Sequence, residues 1–138
     1  MYKNQRAWTY EVSRLGFRYH MANLHAAIGI RQLTKLPEIR QSRVNTSIFY
    51  NERLSQIKDI VIPKSNFQDI CPFVYYIRVP PECRDDLRTH LLENGVDTGI
   101  HWQPGHWFEL FENCRAGPLK VTESVGKEIL SLPLHSFM

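Results

Sequence analysis

The chain has 138 residues, enough for one domain that buries its own core without disulfides or a metal. Hydrophobic residues make up 43% and charged residues 22%, which excludes a largely disordered chain, and the 7 Gly and 8 Pro follow no collagen-like period. The net charge of +3 comes from scattered basic residues and falls short of the basic stripe of a nucleic-acid binder, so no nucleic-acid partner is expected.

No apolar run approaches the roughly 20 residues that span a bilayer, so no membrane association is expected. The opening Met1-Tyr2-Lys3-Asn4-Gln5-Arg6 carries charge with no apolar stretch behind it, unlike a secretory signal. Cys71, Cys83 and Cys114 are odd in number and widely spaced, and they form no Cys-x-x-Cys pair. Free thiols in a reducing compartment are the simplest account, which points to the cytoplasm.

In chain order, Trp8 to Val12 reads as a short strand that Gly16 ends. Met21 to Leu36 predicts a helix, with Leu24, Ala27, Ile28, Leu33 and Leu36 near the 3.6-residue period and Asn23 as its cap. Ala26, Ala27 and Gly29 are small enough for another backbone to approach. Pro37 breaks that ladder and suits a first helical turn, so a second helix is expected from Pro37 to about Gln56.

Ile60 to Pro63 reads as a short extended piece. Phe73 to Val79 is a β-branched and aromatic strand that Pro80-Pro81 end. Asp85 to Asn94 predicts a helix with Leu87, Leu91 and Leu92 inward and Gly95 as its stop. A strand from Val96 to Trp102 follows, then a turn at Pro104-Gly105 and a helical turn from Trp107 to Phe111. The last elements are a helix from Thr122 to Leu130 and a strand at Leu132-Pro133-Leu134. The order predicts an α/β or α+β architecture: long helices, then a small sheet with helices packed on it.

Two histidines, His101 and His106, flank Trp102-Gln103-Pro104-Gly105. Imidazole is a common zinc ligand, but this spacing matches no zinc signature and no third ligand is near, so no metal is expected. Two readings stay open. The loop can form the mouth of a pocket for a polar ring-shaped ligand, or its tryptophans can be core residues beside incidental histidines.

Arg18 precedes the first helix. It can hold a phosphate there, helped by the helix N-terminus, or it can be an ordinary exposed arginine paired with a local carboxylate such as Glu11. His25, a turn further on, reads as a surface or packing residue. Asp85-Asp86 fit a helix start better than a catalytic carboxylate pair. None of the six lysines, Lys3, Lys35, Lys58, Lys64, Lys120 and Lys127, has the apolar surroundings of an activated amine. No Gly-rich phosphate loop, nucleophile elbow or Cys/His catalytic pattern is present.

The run from Leu15 to Leu33, Leu-Gly-Phe-Arg-Tyr-His-Met-Ala-Asn-Leu-His-Ala-Ala-Ile-Gly-Ile-Arg-Gln-Leu, resembles the DegT/StrS family of pyridoxal-phosphate-dependent sugar aminotransferases. Arg43, Tyr50, Gly95-Val96, the His101 to His106 loop and Leu130-Ser131-Leu132-Pro133-Leu134-His135 follow in the family's order. The resemblance covers nearly the whole chain and only the C-terminal part of such an enzyme. It implies residues 1–20 as the end of the large cofactor domain, 21–57 as a long helical connection and 58–138 as the small C-terminal domain.

It implies further that the cofactor-bearing lysine lies upstream, so this chain holds no catalytic residue and is inactive alone. Arg18 would reach the phosphate of pyridoxal 5'-phosphate across a homodimer interface. Tyr19, His20, His101 and His106 would face a nucleotide-sugar substrate, with His20 standing where many relatives have Arg. The whole enzyme would move an amino group from glutamate to a nucleotide-linked keto-sugar. The alternative is a non-catalytic interaction or regulatory module that retains the small-domain fold.

Overall fold

The computed structural model describes residues 13–114 and 117–136. The strand expected at Trp8 to Val12 lies outside them. By its contacts the chain divides into two units, Met1–Thr34 and Lys35–Met138.

Helix α1, Asn23–Leu54, is a single helix of 32 residues with Pro37 inside it. The sequence predicted two helices broken at Pro37, and that expectation is corrected. Proline removes one backbone donor and crowds the preceding turn. Its neighbours Gln32, Leu33, Lys35, Leu36, Glu38 and Arg40 are all good helix formers. Thr34 Oγ1 donates to the Arg31 carbonyl at 2.8 Å, which satisfies one acceptor in the turn before the proline. Leu33 is exposed, so the carbonyl that Pro37 leaves without a partner lies where water reaches. The expected cap also moves: the Ala26 N–H donates to the Ala22 carbonyl, which puts Asn23 inside the first turn.

In the first unit the described residues run extended to Ala22 and then enter α1. Leu15, Phe17, Tyr19, Met21, Leu24 and Ile28 are all exposed there.

The second unit holds the core. Strand β1, Tyr75–Arg78, pairs antiparallel with β2, Ile129–Leu132, in a register that sets Tyr75 opposite Leu132 and Ile77 opposite Leu130. Val61 bridges to Arg78 outside β1, and Gly99 bridges to Ser131 outside β2. The Ile60 to Pro63 piece therefore contributes a single sheet contact. β1 alternates as a half-buried strand should, with Tyr75 and Ile77 inward and Tyr76 outward. Val44 of α1 joins Phe67, Tyr75, Ile77, Val79 and Leu130 in the buried cluster. The expected helix-plus-small-sheet class holds, as an α+β arrangement with a two-stranded sheet.

Tyr75 is wholly buried, so its hydroxyl needs a partner. It donates to Asn51 Oδ1 at 2.6 Å, while Tyr50 Oη donates to the Pro133 carbonyl at 3.1 Å. Burial, with the neighbouring Tyr50, pushes the Tyr75 phenol up to about 12.

Helix α2, Pro81–Glu93, opens with proline in its first turn and ends at Gly95, whose φ of 78° is one that glycine adopts without strain. The Val96 N–H closes the end on the Leu91 carbonyl at 2.8 Å. Asp85 and Asp86 therefore sit in the second turn, and their expected place at the helix start is corrected. Asp85 accepts from Arg84 Nε at 3.0 Å, and that hydrogen bond and charge hold its carboxyl below the usual range.

The strand expected from Val96 to Trp102 reduces to the single bridge at Gly99. The His101 imidazole lies over this bridge: a Cβ on Gly99 would be 2.4 Å from His101 Cε1. Helix α3 is Lys120–Glu128 and leads directly into β2. β2 stops at Leu132 because Pro133 has no N–H for the ladder, which corrects the expected strand at 132–134.

Glu128 joins α3 to β1. Its carboxylate accepts from Ser124 Oγ at 2.5 Å and from Arg78 Nε and Nη2 at 2.8 and 2.5 Å. The Ser124 hydrogen bond first, and then Arg78, hold its carboxyl below the usual range. A depressed folded value means the stabilisation is fully present above the unfolded glutamate value of about 4.3 and is lost as pH falls through the lower folded value. Glu128→Gln is therefore expected to flatten the loss of stability on acidification from pH 6 to pH 3, followed by urea midpoints. Equal slopes for the two proteins would remove Glu128 as a source of that dependence.

Candidate functional site

The candidate residues fall into two groups, one in each unit. Arg18, Tyr19 and His20 lie in the extended segment before α1, and all three are exposed. Arg18 Nε donates to His20 Nδ1 at 3.0 Å. The accepting Nδ1 carries no proton in this arrangement. Phe17 and Tyr19 rings sit 5.9 Å apart, tilted at 45°. Arg18 thus has a histidine partner, and Glu11, the local carboxylate considered for it, lies outside the described residues. The rest of the planar guanidinium fork faces water and suits two oxygens of an oxyanion such as phosphate. His25 is exposed on α1.

His101 and His106 belong to a loop whose two short 3₁₀ turns are Gly105–Trp107 and Glu109–Phe111. These replace the single helical turn expected at Trp107 to Phe111. His101 packs edge-on against Trp102, with ring centroids 5.3 Å apart. It stands in the wall between two cavities. One, of about 330 Å³, lies between the loop and α3 and is lined by Trp102, Pro104, Val121, Val125 and Ile129 with His101. The other, of about 310 Å³, lies over the Gly99 bridge and is lined by Phe73, Asp97, Thr98, Ser131 and Leu134 with His101. Both reach the lower end of ligand-pocket sizes.

His106 meets α3 directly. Its Nε2 lies 3.2 Å from Glu123 Oε1, and its ring stacks edge-on with Trp107 at 5.9 Å. Of the two readings of this loop, the buried-tryptophan one fails: Trp102 is 70% exposed and Trp107 is 37% exposed. Trp102 leaves an aromatic face open to a ligand or a partner surface, whereas the Trp107 ring lies against α3 at Gly126.

Two residues of this region escaped the sequence reading. Glu123 is an acidic residue in the first turn of a helix, where its favourable interaction with the helix end accounts for it without a further role. Gly126 gave no turn or cap signal. Only the structure shows that a Cβ there would meet Pro104 Cγ at 2.7 Å and Trp107 Cη2 at 3.0 Å. Among the described residues no cluster of three or more His, Cys, Asp or Glu is assembled. The described lysines Lys35, Lys58, Lys64, Lys120 and Lys127 are all exposed.

The family model for DegT/DnrJ/EryC1/StrS aminotransferases matches residues 1–138. The chain belongs to this family. It is 28% identical over 135 residues to a dTDP-4-dehydro-2,3,6-trideoxy-D-glucose 4-aminotransferase of Saccharopolyspora spinosa, covering 96% of this chain and 34% of that protein. It is 26% identical to a UDP-4-amino-4,6-dideoxy-N-acetyl-beta-L-altrosamine transaminase of Campylobacter jejuni, covering 97% of this chain and 37% of the relative.

Among solved structures, the aminotransferase TlmJ of Streptoalloteichus hindustanus superposes with a TM-score of 0.80 at 28% identity, over 98% of this chain and 37% of that one. NtdA of Bacillus subtilis, solved with bound cofactor PMP, gives a TM-score of 0.80 at 28% identity, over 95% of this chain and 32% of its own. The chain spans about a third of the length of these relatives. Among the described residues no helix is long and apolar enough to cross a membrane.

Proposed function

We propose that this chain is the C-terminal, substrate-facing part of a pyridoxal-phosphate-dependent aminotransferase that moves an amino group from glutamate to a nucleotide-linked keto-sugar. The family match over residues 1–138 carries this reading. In it, residues 1–20 end the large cofactor domain, 21–57 connect, and 58–138 form the small domain. The enzyme works in the cytoplasm as a homodimer, and the exposed apolar residues of the first unit are the surface that assembly covers.

The residues present fit one end of the cofactor. Arg18, with only one nitrogen engaged by His20, can pair two phosphate oxygens. In this reading the amine that would hold the ring is not one of this chain's lysines. The cofactor, when bound, withdraws electrons from the carbon that gains or loses nitrogen. This chain's part is then binding and orientation. Tyr19 and His20 flank the phosphate end. His101, in the wall between two cavities, offers a ring nitrogen to sugar hydroxyls, and the open face of Trp102 excludes water beside it.

The reading is tested by titrating isotope-labelled chain with UDP- and dTDP-linked sugars and with pyridoxal 5'-phosphate. Sugar nucleotides are expected to shift Tyr19, His20, His101 and His106, the cofactor to shift Arg18, and line widths to rise with concentration as copies pair. Silence at all five residues up to millimolar ligand would sink the enzyme reading and leave the interaction module.

A further inference from the structure

We propose that Glu123 and Gly126 are positioning residues through which α3 fixes the conformation of the His101–His106 loop. For its consequence this rests on the reading of that loop as a substrate wall; its geometry stands without it.

α3 is itself held from behind. Arg84 Nη1 of α2 donates to the Gly126 carbonyl at 3.0 Å. Glu128, at the end of α3, is tied to Arg78 of β1. The helix is thereby pinned at two points to the body of the second unit. Its other side meets the loop at two points, one turn apart. Glu123 Oε1 lies 3.2 Å from His106 Nε2. A carboxylate only accepts, so the proton of this bond sits on Nε2 and the imidazole is held by its edge. Gly126 is the second point.

 A Cβ at Gly126 would lie 2.7 Å from Pro104 Cγ, 2.9 Å from Pro104 Cδ and 3.0 Å from Trp107 Cη2. Only the missing side chain lets the buried Pro104 and the Trp107 ring seat against the helix. Gly126 and Pro104 also line the cavity that Trp102 and His101 help to form. The position of α3 therefore sets where His101 and Trp102 stand.

The test uses the 138-residue protein and nuclear magnetic resonance of its imidazole and amide groups. In the wild type the His106 Hε2 proton is expected to be visible, protected from exchange by Glu123. Glu123→Ala should erase that signal and shift the amides of residues 101–107. Glu123→Gln, which keeps an acceptor, should restore the signal. Gly126→Ala should shift 104–107 and leave His106 Hε2 in place. The β1 and β2 amides should stay fixed in all three, which separates a moved loop from a lost fold.

The proposal is overturned if Glu123→Ala leaves His106 Hε2 and the loop amides as they were, or if Gln behaves like Ala. No substrate enters this readout. A loop that follows Glu123 yet ignores every nucleotide sugar would keep the clasp and remove the substrate wall.

Discussion

Leu130→Ala is expected to destabilise the protein by about 2–5 kcal/mol, measured as the change in urea unfolding free energy. Leu130 is 0% exposed, sits opposite Ile77 in the sheet and belongs to the buried cluster with Val44, Phe67, Tyr75, Ile77 and Val79. Truncation loses the transfer of the removed methyl groups and leaves a cavity between the sheet and α1. Domains of this size are stable by roughly 5–15 kcal/mol in all, so the variant should be close to unfolding at body temperature. Leu24→Ala is the matched control. Leu24 is 71% exposed, and its loss should change stability by about 0.5 kcal/mol or less. A cost for Leu130→Ala below about 1 kcal/mol would mean that the buried cluster is not what holds this fold.

The contrast between those two leucines shows how much of the fold the sequence carries. The β-branched and aromatic run from Phe73 to Val79 and the glycine after α2 are local signals: β1 forms inside that run, at Tyr75–Arg78, and α2 ends before Gly95, although it begins at Pro81, four residues earlier than expected. Leu24 and Leu130 look alike in a periodicity, yet one is exposed and the other buried. Periodicity finds the apolar face of a helix and is silent on whether this chain covers it. Pro37 misled for a related reason. A local rule sets one lost hydrogen bond against helix continuity, but the helix formers on both sides and an open surface at Leu33 outweigh it.

The candidate site divides in the same way. The cluster of histidines and tryptophans at 101–107 marked a loop of exposed aromatic rings, and the structure places His101 between two cavities. Glu123 and Gly126 were not legible. Glu123 lies 17 residues from His106, and Gly126 lies 22 from Pro104 and 19 from Trp107, and nothing local announces such a contact. Gly99 is the intermediate case. Its place before His101 can be read, but the ring folded over it needs the coordinates.

Arg18→Ala is expected to leave the stability of this chain within about 0.5 kcal/mol and to weaken cofactor binding in the assembled enzyme about ten- to a hundredfold. The first half follows from exposure. Arg18 is open to water and its one hydrogen bond runs to His20, two residues away. Surface pairs of this kind contribute little to folding. The second half rests on the proposed function. There the guanidinium belongs to the cofactor phosphate of the neighbouring subunit, in a site closed by assembly, where a charge-assisted bond is worth roughly 1.5–3 kcal/mol. Arg18→Lys should recover part of the loss, since an ammonium keeps the charge without the two-pronged geometry. The measurement is the dissociation constant for pyridoxal 5'-phosphate in a full-length dimer carrying residues 1–138 as its C-terminal part, compared among wild type, Ala and Lys. If all three bind alike, Arg18 is an ordinary surface residue beside His20, and the phosphate is held elsewhere. If Ala instead unfolds the isolated chain, the guanidinium serves the fold and the division of labour drawn here is wrong.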